Sequence, residues 1–216
     1  MPTRELVGLL ADVLAFASPD DEDTYWHRVV VRWDGERLHA AAGDSIRAAH
    51  ASWGPEDEDG DDDTLFDVNR VFDDAPWHLA LLPGDVKDIV AKFKLSAQQG
   101  AAPLNVDGNP HRLRIQRDGE ARIALTSVAE ARPWSDEHPD IEVTIRTVAD
   151  ESGGDRNTRA NVEYSGAWLS DFANPKVVRQ RGVINLYFGP RSTYLTVGSH
   201  FEGALIQGQG SPSDLR

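Results

Sequence analysis

Residues 25–52 read YWHRVVVRWDGERLHAAAGDSIRAAHAS, and the fold is decided there. Tyr25 to Trp33 is dense in β-branched and aromatic residues, which reads as a strand. Asp34-Gly35 follows it directly; a two-residue hairpin loop needs left-handed backbone, and an Asp-Gly pair supplies that at low steric cost. Arg37 to Ala42 is the returning strand, and a third strand is predicted around Ser45 to Ser52. Upstream, Thr3 to about Ala17 places Leu6, Leu10, Val13, Leu14 and Ala17 at three- and four-residue spacings, the stripe of an amphipathic helix. Thr3 is positioned to cap it, and Ser18-Pro19 ends it. One helix followed by a tight meander of strands implies antiparallel pairing, because parallel strands need longer crossovers.

The same order returns twice more. Leu82-Pro83-Gly84-Asp85 starts a second helix whose Val86, Ile89, Val90 and Phe93 fall at i, i+3, i+4 and i+7. Strands are predicted at Leu104 to Val106, Arg112 to Gln116 and Arg122 to Ser127, with Asp107-Gly108 and Asp118-Gly119 as turns. A third helix, Ser165 to Ala173, stops at Asn174-Pro175, and strands follow at Val183 to Phe188, Tyr194 to Val197 and Phe201 to Ile206. Leu65 to Leu82 looks extended, Pro133 to Pro139 reads as a connector, and Ile141 to Val148 alternates as a strand. Ala160 to Tyr164 is also strand-like, and the chain from about 208 is a polar tail. Three helix-plus-meander units predict an α+β fold in which antiparallel sheets carry helices on one face and are wet on the other. Two domains are expected, 1–139 with two units and 140–216 with one.

The 216 residues carry 22 Lys+Arg against 36 Asp+Glu, a formal charge of -14, and no cysteine. Absence of cysteine excludes disulfides, thiolate zinc sites and a cysteine nucleophile. The acidity is localised: Asp20 to Asp23 hold four acids and Glu56 to Asp63 hold seven, so removing these 11 from the 36 leaves 25 acids against 22 bases. A nearly neutral domain with two acidic segments can still present a basic face, since the field at contact is local over roughly 8–10 Å. The second acidic run is not an EF-hand, because the position five before Gly60 is Pro55 where that loop needs an acid. The apolar stretch Leu6 to Ala17 contains Asp12 and lacks the basic lead-in of a signal peptide, so a soluble, cytoplasmic protein without membrane association is expected.

Catalytic motifs are missing. There is no Walker loop, no Gly-x-Ser-x-Gly and no dinucleotide-binding glycine pattern. The seven histidines show no His-x-His or His-x-x-x-His spacing, so no metal is expected from motif spacing, nor is any cofactor. Carboxylate pairs lie in acidic segments with no apolar wall to raise a pKa. A non-catalytic protein is the expectation.

Four segments resemble the bacterial sliding clamp, the β subunit of DNA polymerase III. Leu38 to Ala49 is similar to that family's strand and Ala-Thr-Asp-Gly-His-Arg-Leu-Ala segment, with Asp44 and Arg47 in place and Gly43, Ser45 and Ile46 substituted. Leu81 to Phe93 resembles the second helix of a clamp domain, Pro133 to Ile145 its domain connector, and Val162 to Ile206 the last half of its terminal domain. The resemblance implies a shortened or divergent clamp fold, acting as a DNA processivity factor. Clamp rings contain six domains, so three two-domain copies would close one.

By that resemblance, helices lining a ring offer Lys and Arg to the phosphates of double-stranded DNA without reading sequence. The residues in such positions are Lys87, Lys92 and Lys94 on the second helix, and Lys176, Arg179 and Arg181 after the third. A partner pocket for a replicative polymerase or another clamp-binding protein would draw on Asp44 and Arg47 with Phe201, Leu205 and Ile206. Two alternatives stay open: a clamp-fold adaptor that does not encircle DNA, and an acidic DNA mimic acting through Glu56 to Asp63.

Overall fold

The computed structural model describes residues 1–23, 25–55, 75–94, 103–118, 121–128, 140–152, 166–173, 175, 183–189 and 192–206. Helix α1 (Thr3–Leu14) leads into strands β1 (Val29–Trp33), β2 (Leu38–Gly43) and β3 (Arg47–Trp53). After β4 (Trp77–Leu81) come α2 (Pro83–Lys94), β5 (Leu104–Asp107), β6 (Arg112–Arg117) and β7 (Ile123–Val128). The remainder is α3 (Ile141–Ser152), α4 (Gly166–Ala173), β8 (Asn185–Phe188), β9 (Ser192–Val197) and β10 (Phe201–Ile206). Thus the structure is α+β, with helices on antiparallel sheets. Of the stretch expected to be extended from Leu65 to Leu82, β4 takes up Trp77–Leu81 and residues 65–74 lie outside the described residues, as do the strand-like Ala160 to Tyr164, the Pro133 to Pro139 connector and the tail from 208.

The strands form a seven-stranded sheet in the order β4-β1-β2-β3-β10-β9-β8 and a three-stranded sheet β5-β6-β7. Every neighbouring pair is antiparallel. The hairpin forms where the sequence predicts it but one residue later: the Asp34 N–H donates to the Arg37 carbonyl at 3.2 Å, so Gly35 and Glu36 are the two loop residues, with Gly35 at φ 106°, and Asp34 Oδ1 accepts the backbone N–H groups of Glu36 and Arg37. β10 pairs with β3, Phe201 opposite Ala51 and Leu205 opposite Arg47, so one sheet contains both the first unit and the last.

Alternation along these strands defines two faces. Val29, Val31, Trp33, Leu38, Ala40, Ala42, Ala49, Ala51, Phe201 and Leu205 join the main core with α1 and α2. Phe172 of α4 joins the same core, its ring 4.7 Å from Phe16. The inward residues of the small sheet, Leu113, Ile115, Ile123 and Leu125, complete it. Each fully buried large side chain contributes about 1.5–3 kcal/mol from removal of apolar surface from water.

The opposite face is not wet over its middle strands. The segment expected as a strand at Ile141 to Val148 is helix α3, which packs Ile141, Ile145 and Val148 on Ala41, Ala48 and Ala204. Ile141, Val143 and Ile145 satisfy period two, while Ile141, Ile145 and Val148 satisfy the helical i, i+4, i+7 pattern, so hydrophobicity alone is degenerate over eight residues. Capping resolves it: Asp140 Oδ1 accepts the Val143 N–H at 2.9 Å, and the Asp140 carbonyl accepts the Thr144 N–H at 3.0 Å. Val143 is correspondingly exposed. Cover on both faces explains why all six residues of β2 are buried.

Two smaller corrections concern α1. Pro2 occupies the capping position and Thr3 is the first helical residue, its N–H donated to the Ala121 carbonyl at 2.8 Å. The regular helix stops at Leu14, and Phe16 and Ala17 continue as a tightened turn bonded to Val13 and Leu14.

The joint between β10 and α4 depends on a missing side chain. A Cβ at Gly203 would stand 2.5 Å from Phe172 Cε1 and 2.9 Å from the Ala48 carbonyl oxygen, whereas one at Gly84 would meet nothing within 4 Å. Gly203→Ala is therefore expected to destabilise the chain by about 1–3 kcal/mol through overpacking. Gly84→Ala, inside α2, is expected to leave stability unchanged or raise it by up to about 1 kcal/mol; urea unfolding of both variants is the check. Ile145→Ala, which empties the contact of α3 with the sheet, is expected to cost about 2–5 kcal/mol in the same assay.

Candidate functional site

Three of the six basic residues singled out from the sequence lie on α2. On α2, Val86, Ile89 and Phe93 are buried and Lys87, Lys92 and Lys94 are exposed, as the single apolar stripe requires. Lys87 and Lys94 are seven residues apart, hence nearly aligned on the helix and about 10.5 Å apart along its axis; Lys92 flanks them. Asp88 is also exposed, and the pair Arg4–Glu5 on α1 is self-neutralised at 2.9 Å. The exposed side of α2 thus keeps a local positive excess although the whole chain is acidic. Asp85, at its first turn, has its carboxyl pushed up by burial and by the nearby charges of Asp88 and Asp107. Lys176, Arg179, Arg181 and the acidic run Glu56 to Asp63 lie outside the described residues.

Asp44 and Arg47 form a seam between the first unit and α4. Asp44 Oδ1 accepts the N–H groups of Ile46 and Arg47, both at 2.8 Å, which shapes the β2–β3 turn. Its Oδ2 receives Arg47 Nε at 3.0 Å, and the same guanidinium makes an ion pair with Asp171 of α4. Arg47 also lies 5.6 Å above the Phe16 ring. Phe201 and Leu205 are buried in the main core, while Ile206 at the end of β10 is 40% exposed. The structure therefore brings Asp44, Arg47, Phe201 and Leu205 to one joint, with only Ile206 of the apolar trio reaching solvent.

β8 lies at the end of the large sheet and, among the described residues, pairs only with β9. Leu186, Tyr187 and Phe188 are each close to half exposed, and Val183 just before them is 63% exposed. An apolar edge strand with open backbone groups is a template for pairing with another strand.

A polar network that spacing rules did not reveal occupies the α3 face. His39 on β2 and His50 on β3 are diagonal neighbours, because Ala41 pairs with His50 and His39 with Ser52. His39 Nδ1 and His50 Nε2 are 3.0 Å apart. His39 Nε2 lies 2.8 Å from Asp34 Oδ2, and His50 Nδ1 lies 2.9 Å from Glu202 Oε1. Tyr194 donates its hydroxyl to Glu202 Oε2 at 2.7 Å. Glu142, from the first turn of α3, accepts Arg32 Nε at 3.0 Å and Nη2 at 2.7 Å.

The surroundings set these charges. Burial pushes the His39 imidazole down, outweighing its bond to Asp34. Partial burial would raise Asp34, but the N–H groups of Arg37 and Glu36, with His39, bring it down to about 2. The His50 bond is the main reason Glu202 lies below its ordinary range, and burial, followed by the bond to that carboxylate, drives the Tyr194 hydroxyl upward. Burial opposes ionisation of Glu142, yet Arg32 holds it low. Against the sequence expectation that the histidines lack metal-type grouping, His39, His50 and Glu142 place ligand-type atoms within 4.8 Å of one another. The signal was hidden because His39 and His50 belong to different strands and Glu142 to a helix assigned as a strand.

No family model and no curated protein matches this sequence. Solved structures do match. The DNA polymerase III β subunit of Thermotoga maritima superposes with a TM-score of 0.59 at 10% identity, covering 98% of this chain and 65% of that one. The β subunit of Streptococcus pyogenes gives 0.56 at 11% identity, with 97% and 65% covered, and that of Pseudomonas aeruginosa gives 0.55 at 11%, again with 97% and 65%. This chain spans less than two thirds of the length of these β subunits. Among its described residues, no helix is long and apolar enough to cross a membrane. At such identities the likeness establishes the fold, and the fold is that of a sliding clamp.

Proposed function

We propose that this chain is a non-catalytic, clamp-type processivity factor that self-assembles around double-stranded DNA and tethers a polymerase. The observation that carries the reading is the exposed lysine set of α2, on a helix that covers one face of a clamp-like antiparallel sheet. In a ring, such helices face the duplex, and Lys87, Lys92 and Lys94 would meet phosphates without reading bases. Lys176, Arg179 and Arg181 are proposed from the sequence as further phosphate contacts. Self-assembly would use β8, whose apolar edge can continue the sheet into a second copy. Asp44 and Arg47, with Ile206 exposed nearby, would flank the partner-binding surface, while Phe201 and Leu205 support it from the core.

A second reading rests on α3. A helix already covers part of the second sheet face, so the chain could serve as an adaptor that offers β8 to a partner protein and does not encircle DNA.

The two readings separate by assembly and by topology. For the processivity factor, light scattering is expected to give a closed oligomer, and the protein is expected to be retained on circular DNA and lost on linearisation. A monomer at high concentration would exclude the ring. In a preformed oligomer, Lys87→Glu, Lys92→Glu and Lys94→Glu together are expected to weaken DNA binding at least about tenfold. They should also flatten the log-affinity against log-salt slope by about 2.7, the value for three lost phosphate contacts.

A further inference from the structure

The two inward nitrogens of the histidine pair present an unusual bonding problem. Asp34 and Glu202 are carboxylates, and an ionised carboxylate only accepts hydrogen bonds. The nitrogens that face them, His39 Nε2 and His50 Nδ1, must therefore carry hydrogen. In neutral rings this leaves lone pairs on His39 Nδ1 and His50 Nε2, which face each other at 3.0 Å. The rings are nearly parallel, 13° apart with centroids separated by 5.2 Å, so they meet edge to edge through these atoms. Something electron-poor has to sit between them: one shared proton or one cation.

Three features favour the cation. Each ring donates its outer N–H to a carboxylate, the arrangement that fixes the tautomer and raises the basicity of metal-binding histidines. Glu142 brings a third ligand atom within reach of both rings; although Arg32 bonds both of its oxygens, each retains a second lone-pair site. Three carboxylates, Asp34, Glu142 and Glu202, and one guanidinium, Arg32, are bonded into this network, so the negative excess of two matches one divalent ion.

We infer that His39 Nδ1, His50 Nε2 and a Glu142 oxygen form a binding site for a divalent transition-metal ion of the zinc class. Two imidazoles and one carboxylate are a borderline-soft donor set suited to zinc, with water as a fourth ligand. Tetrahedral zinc with bonds of about 2.0–2.1 Å places its nitrogens about 3.3 Å apart, so the pair opens by roughly 0.3 Å and the rings tilt to converge. The ion would clasp the first turn of α3 to β2 and β3. This site is separate from the Lys87, Lys92 and Lys94 surface, because it lies on the sheet face opposite α1 and α2.

Chelator-treated full-length protein titrated with Zn²⁺ by calorimetry is expected to bind one ion per chain with micromolar or tighter affinity. Titration with Co²⁺ is expected to give the visible absorption of a tetrahedral centre. His39→Gln and His50→Gln, each verified as folded by circular dichroism, should weaken Zn²⁺ binding at least about 100-fold, and Glu142→Gln about 10-fold or more. His78→Ala, an exposed histidine on β4, should leave it unchanged. Absence of stoichiometric binding by the parent protein would overturn the inference in favour of a shared proton. Binding that survives His50→Gln undiminished would overturn it as well, and this variant decides the matter should His39→Gln fail to fold.

Discussion

The antiparallel pairing of β3 with β10 is the constraint on which the rest of the molecule depends. It places residues 201–205 against residues 47–51, so the chain's first sheet and its last become one surface. Two devices hold that junction. Gly203 leaves the space that the Phe172 ring fills, and Arg47 binds Asp44 in its own turn and Asp171 on α4 while lying over Phe16. The ring of Phe16 is also close to Phe201, with centroids 6.4 Å apart. A charge-assisted clasp backed by an aromatic cluster fixes the position of α4 more narrowly than apolar burial alone, because ion pairs and ring edges are directional while the hydrophobic effect is not.

From that shared sheet follow two chemically different faces. The main-core face is continuous in large apolar side chains and carries α1, α2 and α4. The other is narrow in apolar content: Ala41, Ala48 and Ala204 admit α3 closely, and beside them lie Arg32, His39, His50, Glu202 and Tyr194. Buried polar groups are costly unless partnered; here Asp34 bonds His39, and Glu202 joins His50 to Tyr194, with the two rings facing each other between these pairs. The polar face positions α3 through Arg32 and Glu142, much as the seam positions α4 through Arg47 and Asp171.

Charge is also unevenly distributed along the chain. An overall excess of acid looks incompatible with a polyanion, yet much of it sits in two short segments, and the exposed side of α2 is locally basic. Screening confines the reach of a charge to roughly 8–10 Å, so the field over the exposed side of α2 is set chiefly by its own lysines.

Local pattern determined the sequence-legible part. The Asp34-Gly35 hairpin, the α2 stripe with its outward lysines, the termination of α4 before Pro175 and the order of helix and meander were all readable, because each depends on residues within a few positions of one another. The resemblance to sliding clamps, read from Leu38 to Ala49 and three other segments, pointed to the fold the superpositions establish. Tertiary structure decided what local pattern leaves degenerate. Residues 141–148 satisfy both the strand and the helix period, and only the Asp140 cap and the alanine bed beneath selected the helix. The His39–His50–Glu142 group and the Arg47–Asp171 seam join atoms from strands and helices far apart in sequence. No spacing rule within one element can register them, because their proximity is created by sheet register and helix docking.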